Sequence, residues 1–198
     1  MTSLSPSSRR LHIAVIGDGD IASDHPAYQT AMSLGKQLMD HHYLIVTGGL
    51  AGIMEAAPRG AHQSKNYQAG STLGILPGND LHTSNQWIDI PIASSLGHLR
   101  NSIVAQSHAV IAIGGGAGTL SELCFAWIYN RLVIALSSVN SNPSAAPIGW
   151  SNKLLDQPLD HRQRFSEIPD DRIYGATSPE HVIELLAEHL PRYLPHMR

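Results

Sequence analysis

The stretch Val110–Glu122 reads "VIAIGGGAGTLSE", with glycines directly after an apolar run and an acid a few residues later. Glycines there let backbone N–H groups turn inward and approach a ligand closely. Gly118 and Thr119 then open a helix, whose N-terminus favours an anion, and the Thr119 hydroxyl is a further donor. No lysine stands before Thr119 or Ser121, so this is not the P-loop that holds a triphosphate with magnesium. Gly115, Gly116, Ala117, Gly118 and Thr119 read as a cradle for a compact anion such as a monophosphate. The plainer alternative is that the glycines only allow tight strand–helix packing. Glu122, one turn into the helix, is the group in this stretch able to do chemistry.

Arg100, in "GHLRNS", lies at the start of the helical stretch that feeds the same strand. A guanidinium there either binds a phosphate or carboxylate bidentately or pairs with Glu122 as a structural contact. Other candidate walls are Gly17-Asp18-Gly19, Gly48-Gly49 and Pro77-Gly78, each ending an apolar run. "GDGDIA" (17–22) fits the dinucleotide fingerprint. That fingerprint also wants an acid after the second strand, where Thr47-Gly48-Gly49 stands. Asp18 and Asp20 put negative charge where a pyrophosphate would lie, so this loop reads as a tight turn opening a crevice.

The elements that must position these residues alternate from end to end. Apolar runs at 11–17, 43–49, 71–78, 110–116 and 131–138 read as strands, as do a shorter piece at 87–93 and a last strand at 172–177. Helical patterns fall at 26–40, 52–64, 97–109, 119–130 and 178–190, and Pro58 is expected to kink or divide the second of them. Ser178 with Pro179 makes a good helix start. Residues 139–152, rich in Asn, Ser and Pro, read as a loop or lid. Runs apolar throughout imply strands buried on both faces. The expectation is an α/β fold: a doubly wound, mostly parallel Rossmann-like sheet of six or seven strands with helices on both faces. Its ligand belongs at the carboxyl ends of the strands, near the switch point.

Composition excludes several classes. The chain has 198 residues and a net charge of −3, about one domain, read as a polar tail at 1–10 followed by a single domain at 11–198. No clustered Lys and Arg suggest nucleic-acid binding, and no run has the roughly 18 apolar residues of a membrane helix. The start lacks the apolar core of a secretory signal, so a cytoplasmic protein is expected. One cysteine, Cys124, excludes an internal disulfide. The twelve histidines show no metal spacing, so no metal site is expected. The sequence leaves Trp127 and Tyr129 open as core or interface residues.

Four motifs in order, "TGGLAGIM" (47–54), "LGILPG" (73–78), "LRN" (99–101) and "GGGAGTLSE" (114–122), resemble the LONELY GUY / lysine-decarboxylase-like Rossmann superfamily. With "DIPIASSLG" (89–97), they look closest to its branch of molybdenum cofactor carrier proteins. By resemblance to the hydrolases, which split a cytokinin riboside 5′-monophosphate, Gly115, Gly116, Gly118 and Thr119 would hold the phosphate. Glu122 would stabilise an oxocarbenium-like transition state with Arg100 as its partner. The hydrolase motif has Pro where Gly114 stands and Lys where Asn101 stands, and both departures point to the carrier branch. The resemblance thus implies binding of a phosphate-bearing pterin, the molybdenum cofactor, as ligand with no other cofactor required. The alternative is hydrolysis of a nucleoside 5′-monophosphate. It further implies a homodimer or homotetramer. True lysine decarboxylation is not expected, because Lys36, Lys65 and Lys153 are the only lysines and none ends a strand.

Overall fold

The computed structural model of the chain describes residues 9–137 and 149–197. Seven strands form one sheet: β1 His12–Gly17, β2 Leu44–Thr47, β3 Thr72–Leu76, β4 Ile90–Ala93, β5 Ala109–Ile113, β6 Leu132–Leu136 and β7 Tyr174–Ala176. Their order is β4-β3-β2-β1-β5-β6-β7, and every neighbouring pair is parallel. Parallel strands need covered faces, and the central ones have them. Along β1, Ile13 and Val15 join one apolar cluster while Ala14 and Ile16 join the other. All five residues of β5 and of β6 are buried.

Helices α1 (Pro26–Asp40), α2 (Ile53–Ala61) and α6 (Pro179–Tyr193) contribute buried residues to the first cluster, and α3 (Asn101–Val104) and α4 (Ala117–Ile128) to the second. A one-turn α5 (Trp150–Lys153) lies beside α4. On the α4 side the strands present Ala14, Ala112 and Ala135, small residues that leave room for the buried ring of Trp127. Trp127 is thus core, while Tyr129 is partly buried and stacks on Phe125. Arg164 lies 3.6 Å from the centre of the Trp127 ring, pairs bidentately with Asp171, and donates to the carbonyls of Trp127 and Arg131. One side chain thereby satisfies the C-terminal end of α4 and ties the 160s to the sheet.

Two expectations are corrected. Pro58 does not divide α2, which runs through it. The missing N–H leaves the Met54 carbonyl, four residues back, without its helical donor. The Thr47 hydroxyl donates to that carbonyl at 3.1 Å and the Asn85 amide at 3.4 Å. The stretch 97–109 is not one helix but a 3-10 turn, Gly97–Arg100, and the single turn of α3. Gly97 sits at φ 53, and Ser107 turns its hydroxyl back onto the Val104 carbonyl. By His108 the chain already bonds to β1 through the His12 carbonyl.

Of the expected tail, residues 1–8 lie outside the described residues, and so do 139–148 of the Asn/Ser/Pro-rich segment, with residue 138 before it. Arg10 is held firmly, donating to the carbonyls of His42 and Tyr43 and to the Ser71 hydroxyl. No described helix is long and apolar enough to cross a membrane.

β1 and β5 are neighbours whose onward connections leave in opposite directions, toward β2 and toward β6. That is the topological switch point, where an open α/β sheet receives its ligand.

Candidate functional site

The loop after β1 and the loop after β5 flank a cleft of about 310 Å³ at this switch point. Gly17, Asp18, Gly19 and Asp20 form one wall, and Gly116, Gly118, Thr119 and Glu122 the other. Arg100 and His98 enter from the 3-10 turn, with Asn101 beside them, Leu50 from the loop before α2 and Met54 from its first turn. Of the site residues expected from sequence, Gly17, Asp18, Gly19, Arg100, Gly116, Gly118, Thr119 and Glu122 come together here.

The Gly loop has the backbone its sequence implies. Gly114 and Gly115 adopt φ 63 and 89, the left-handed region in which glycine carries no steric penalty. Proline, locked near −65°, does not fit this φ at position 114. Its ring would also remove an N–H that donates to Ser151 Oγ at 2.7 Å. Ser151 is fully buried, and the N–H groups of Trp150 and Ser151 return to the carbonyls of Gly115 and Gly114. The segment after 148 thus clasps the loop from behind. The three N–H groups of Ala117, Gly118 and Thr119 open α4 and have no acceptor within the helix. A Cβ at Gly116 would meet nothing within 4 Å, so this position faces open cleft.

Four expected residues are not in the lining. Gly48 lies behind Arg100, where a Cβ would stand 2.2 Å from Nη1 and 2.4 Å from Nη2. The lack of a side chain there leaves room for the guanidinium. Gly49, at φ 75, packs on Gly74 and Leu76, and its carbonyl accepts from Asn85. Gly115 packs on the Thr119 side chain, and exposed Ala117 starts the helix beside the lining. Sequence reasoning missed Leu50, Met54 and His98 as walls, and Ser151 as the clasp. Ser151 lies in a stretch whose composition signals only loop.

Glu122 and Arg100 define the electrostatics. Their side chains are 8% and 9% exposed, with Arg100 Nη1 3.5 Å from Glu122 Oε1 and no hydrogen bond between them. Burial pushes the Glu122 carboxyl up to about 7, with Arg100 pulling the other way. Burial likewise lowers the Arg100 pKa. Arg100 Nε and Nη1 are buried without a hydrogen-bond partner, and Nη2 touches only the Met54 sulfur at 3.8 Å. A desolvated guanidinium with idle donors is costly, and an entering anion would satisfy it. Asn101 is buried and tied to α4 through Ser121 Oγ at 2.8 Å and the Gly118 carbonyl at 3.3 Å. It buttresses the cradle and brings no charge to it.

The dinucleotide match is decoration on a packing turn. A Cβ at Gly17 would stand 2.3 Å from the Ile113 carbonyl oxygen. Helix α1 begins only at Pro26, too far on for its N-terminus to meet a pyrophosphate at Gly17–Gly19. Among the described residues, no group of three or more His, Cys, Asp or Glu is placed to hold a metal.

Comparison with known proteins bears on the fold and the family. The molybdenum cofactor binding protein of Rippkaea orientalis is 32% identical, with a TM-score of 0.69 over 91% of this chain and 97% of that one. The molybdenum cofactor carrier protein of Chlamydomonas reinhardtii is 29% identical, with a TM-score of 0.68 over 93% and 99%. An uncharacterised protein of Archaeoglobus fulgidus is 37% identical over 127 residues, 64% of this chain and 80% of that protein. The family model for the SLOG cluster4 family matches residues 10–164, so the chain belongs to that family.

Proposed function

We propose that this protein binds and carries a small phosphate-bearing ligand of pterin or nucleotide-like type, with the molybdenum cofactor as the favoured cargo. The observation that carries the reading is Arg100, buried at the cleft with Nε and Nη1 unpartnered beside the N-terminus of α4. An anionic group entering there gains charge-assisted hydrogen bonds and satisfies donors of the buried guanidinium that have no hydrogen-bond partner. The cradle for its oxygens is Gly116, Gly118, Thr119 and the first N–H groups of α4. The volume is at the small end of small-molecule sites, roughly 300–1,000 Å³. Likeness over nearly the whole chain to the Rippkaea and Chlamydomonas proteins supports the pterin among phosphorylated ligands.

Hydrolysis of a nucleoside 5′-monophosphate is the second reading, because Glu122 and Arg100 are adjacent, as that chemistry requires. Two features favour binding without turnover. Position 101 holds a neutral amide already engaged with α4, and position 114 needs a backbone that proline cannot adopt. Incubation with AMP and with isopentenyladenosine monophosphate, followed by assay for free base, separates the two. No base release is expected. Release that Glu122→Gln abolishes would make the protein a hydrolase and overturn the carrier reading.

A further inference from the structure

Glu122 is odd company for a phosphate. It sits one turn into the helix whose N-terminus forms the cradle, on the same wall as Thr119 and Gly118. An ionised carboxylate there would repel the ligand it is meant to help hold. It would also need hydrogen-bond donors of its own, and no donor reaches it among the described residues. The nearest cation, Arg100, stands at 3.5 Å without a hydrogen bond. The other charged groups lining the cleft do not help. Asp18 and Asp20 come from the β1 loop, and the 3-10 turn adds only the imidazole of His98. Met54 from the first turn of α2 and Leu50 from the loop before it are apolar, and Thr119 is the polar neighbour on α4 itself. Burial disfavours a negative charge on Glu122, and Arg100 alone pulls the other way.

We infer that Glu122 meets the ligand as a neutral carboxylic acid, donating its O–H to a phosphate oxygen, so that the cleft takes up a dianionic oxyanion together with a proton. The inference deepens the proposed function and rests on its placing of the anion beside Arg100 and the α4 N-terminus. The proton comes from solvent, resides on a Glu122 oxygen, and is shared with the ligand; no covalent bond to the ligand forms or breaks. Glu122 thereby becomes a specificity residue: the group it faces must accept a hydrogen bond, as an oxyanion does. A site of this kind is already close to poised, since burial holds the carboxyl near 7 before any ligand arrives.

The sign follows from linkage. An anion raises the Glu122 pKa further in the bound state. Below the free-state value the acid is already protonated, and binding takes up nothing. Above it, binding must recruit a proton, and affinity falls by about tenfold per pH unit. Sulfate is the cleanest probe, because its own charge does not change across the neutral range. Affinity for sulfate would be measured from pH 7.5 to 9 in a His98→Gln background, which removes the cleft imidazole from the count. The expected result is a fall of close to tenfold per unit. In Glu122→Gln on that background the slope disappears, and this variant overtakes its parent at the alkaline end. In parallel, Glu122 labelled with 13C at the carboxyl would be titrated by NMR in the intact protein. Protonation should persist to about neutral pH, and adding sulfate at pH 8 should raise it.

A flat sulfate profile, or a Glu122 that titrates as an ordinary exposed carboxylate with or without sulfate, overturns the inference. If sulfate binds too weakly to measure, the NMR titration of the free protein alone decides. Failure of the carrier reading is separable: a cleft that takes sulfate with a proton but not the molybdenum cofactor sinks that reading and leaves this one standing.

Discussion

The sharpest consequence of the geometry concerns Gly48, a residue outside the cleft lining. A Cβ at this position would lie 2.2 Å from Arg100 Nη1, 2.4 Å from Nη2 and 2.5 Å from the Met54 sulfur. Ordinary heavy-atom contacts lie near 3.5–4.0 Å, so in Gly48→Ala the guanidinium must retreat by roughly 1 Å or more. The clashing atoms are the ends of flexible side chains, and Gly48 does not require a positive φ. The fold should therefore absorb the change, whereas ligand alignment should not. Losing one hydrogen bond to a charged group is worth roughly 1.5–3 kcal/mol. At about 1.4 kcal/mol per decade of affinity, that is a 10- to 150-fold weaker complex. Equilibrium titration with molybdopterin, alongside thermal unfolding, reads both quantities. Undiminished affinity in a stably folded Gly48→Ala protein would show that Arg100 is not the ligand's anchor. A collapse in stability would show instead that Gly48 serves the fold.

Other substitutions probe the cradle and its support. Gly116→Val points its side chain into open cleft, so binding should be abolished while the unfolding temperature stays within a few degrees of the parent. Ser151→Ala leaves the buried Gly114 N–H without its acceptor and should cost roughly 1–3 kcal/mol in urea unfolding, with weaker binding in proportion. Arg164→Ala removes the bidentate partner of the buried Asp171 carboxylate, leaving it the Tyr193 hydroxyl, and uncaps α4; denaturant unfolding should register a loss of roughly 3–5 kcal/mol, and a neutral outcome would mean the network is dispensable.

Much of the architecture is visible in the residue order because most elements bury one clean pattern. The apolar runs "VIAI" and "LVIAL" have no face to spare for water, and both lie inside the parallel sheet. The crevice follows from topology, and its glycines and Thr119 are found where strand ends are expected. What stayed hidden depends on contacts between distant segments. Pro58 looks like a breaker until the Thr47 hydroxyl and the Asn85 amide are seen filling the carbonyl it leaves idle. "GHLRNSIVAQSHA" carries a helical spacing, yet the chain must reach β5 by His108, which leaves room for one α-turn. Gly48 is conspicuous in sequence, but its purpose belongs to Arg100, 52 positions away by the numbering. Ser151 gives no local sign at all, since its one task is to hold a glycine 37 residues earlier.

The central claim is that this cleft holds the molybdenum cofactor through Arg100. The direct measurement is anaerobic titration of the purified protein with the cofactor, set beside Arg100→Met, which keeps bulk without charge. Saturable, stoichiometric binding by the native protein, lost or greatly weakened in Arg100→Met, is the predicted result. No binding by the native protein, or equal binding by the variant, would contradict the account.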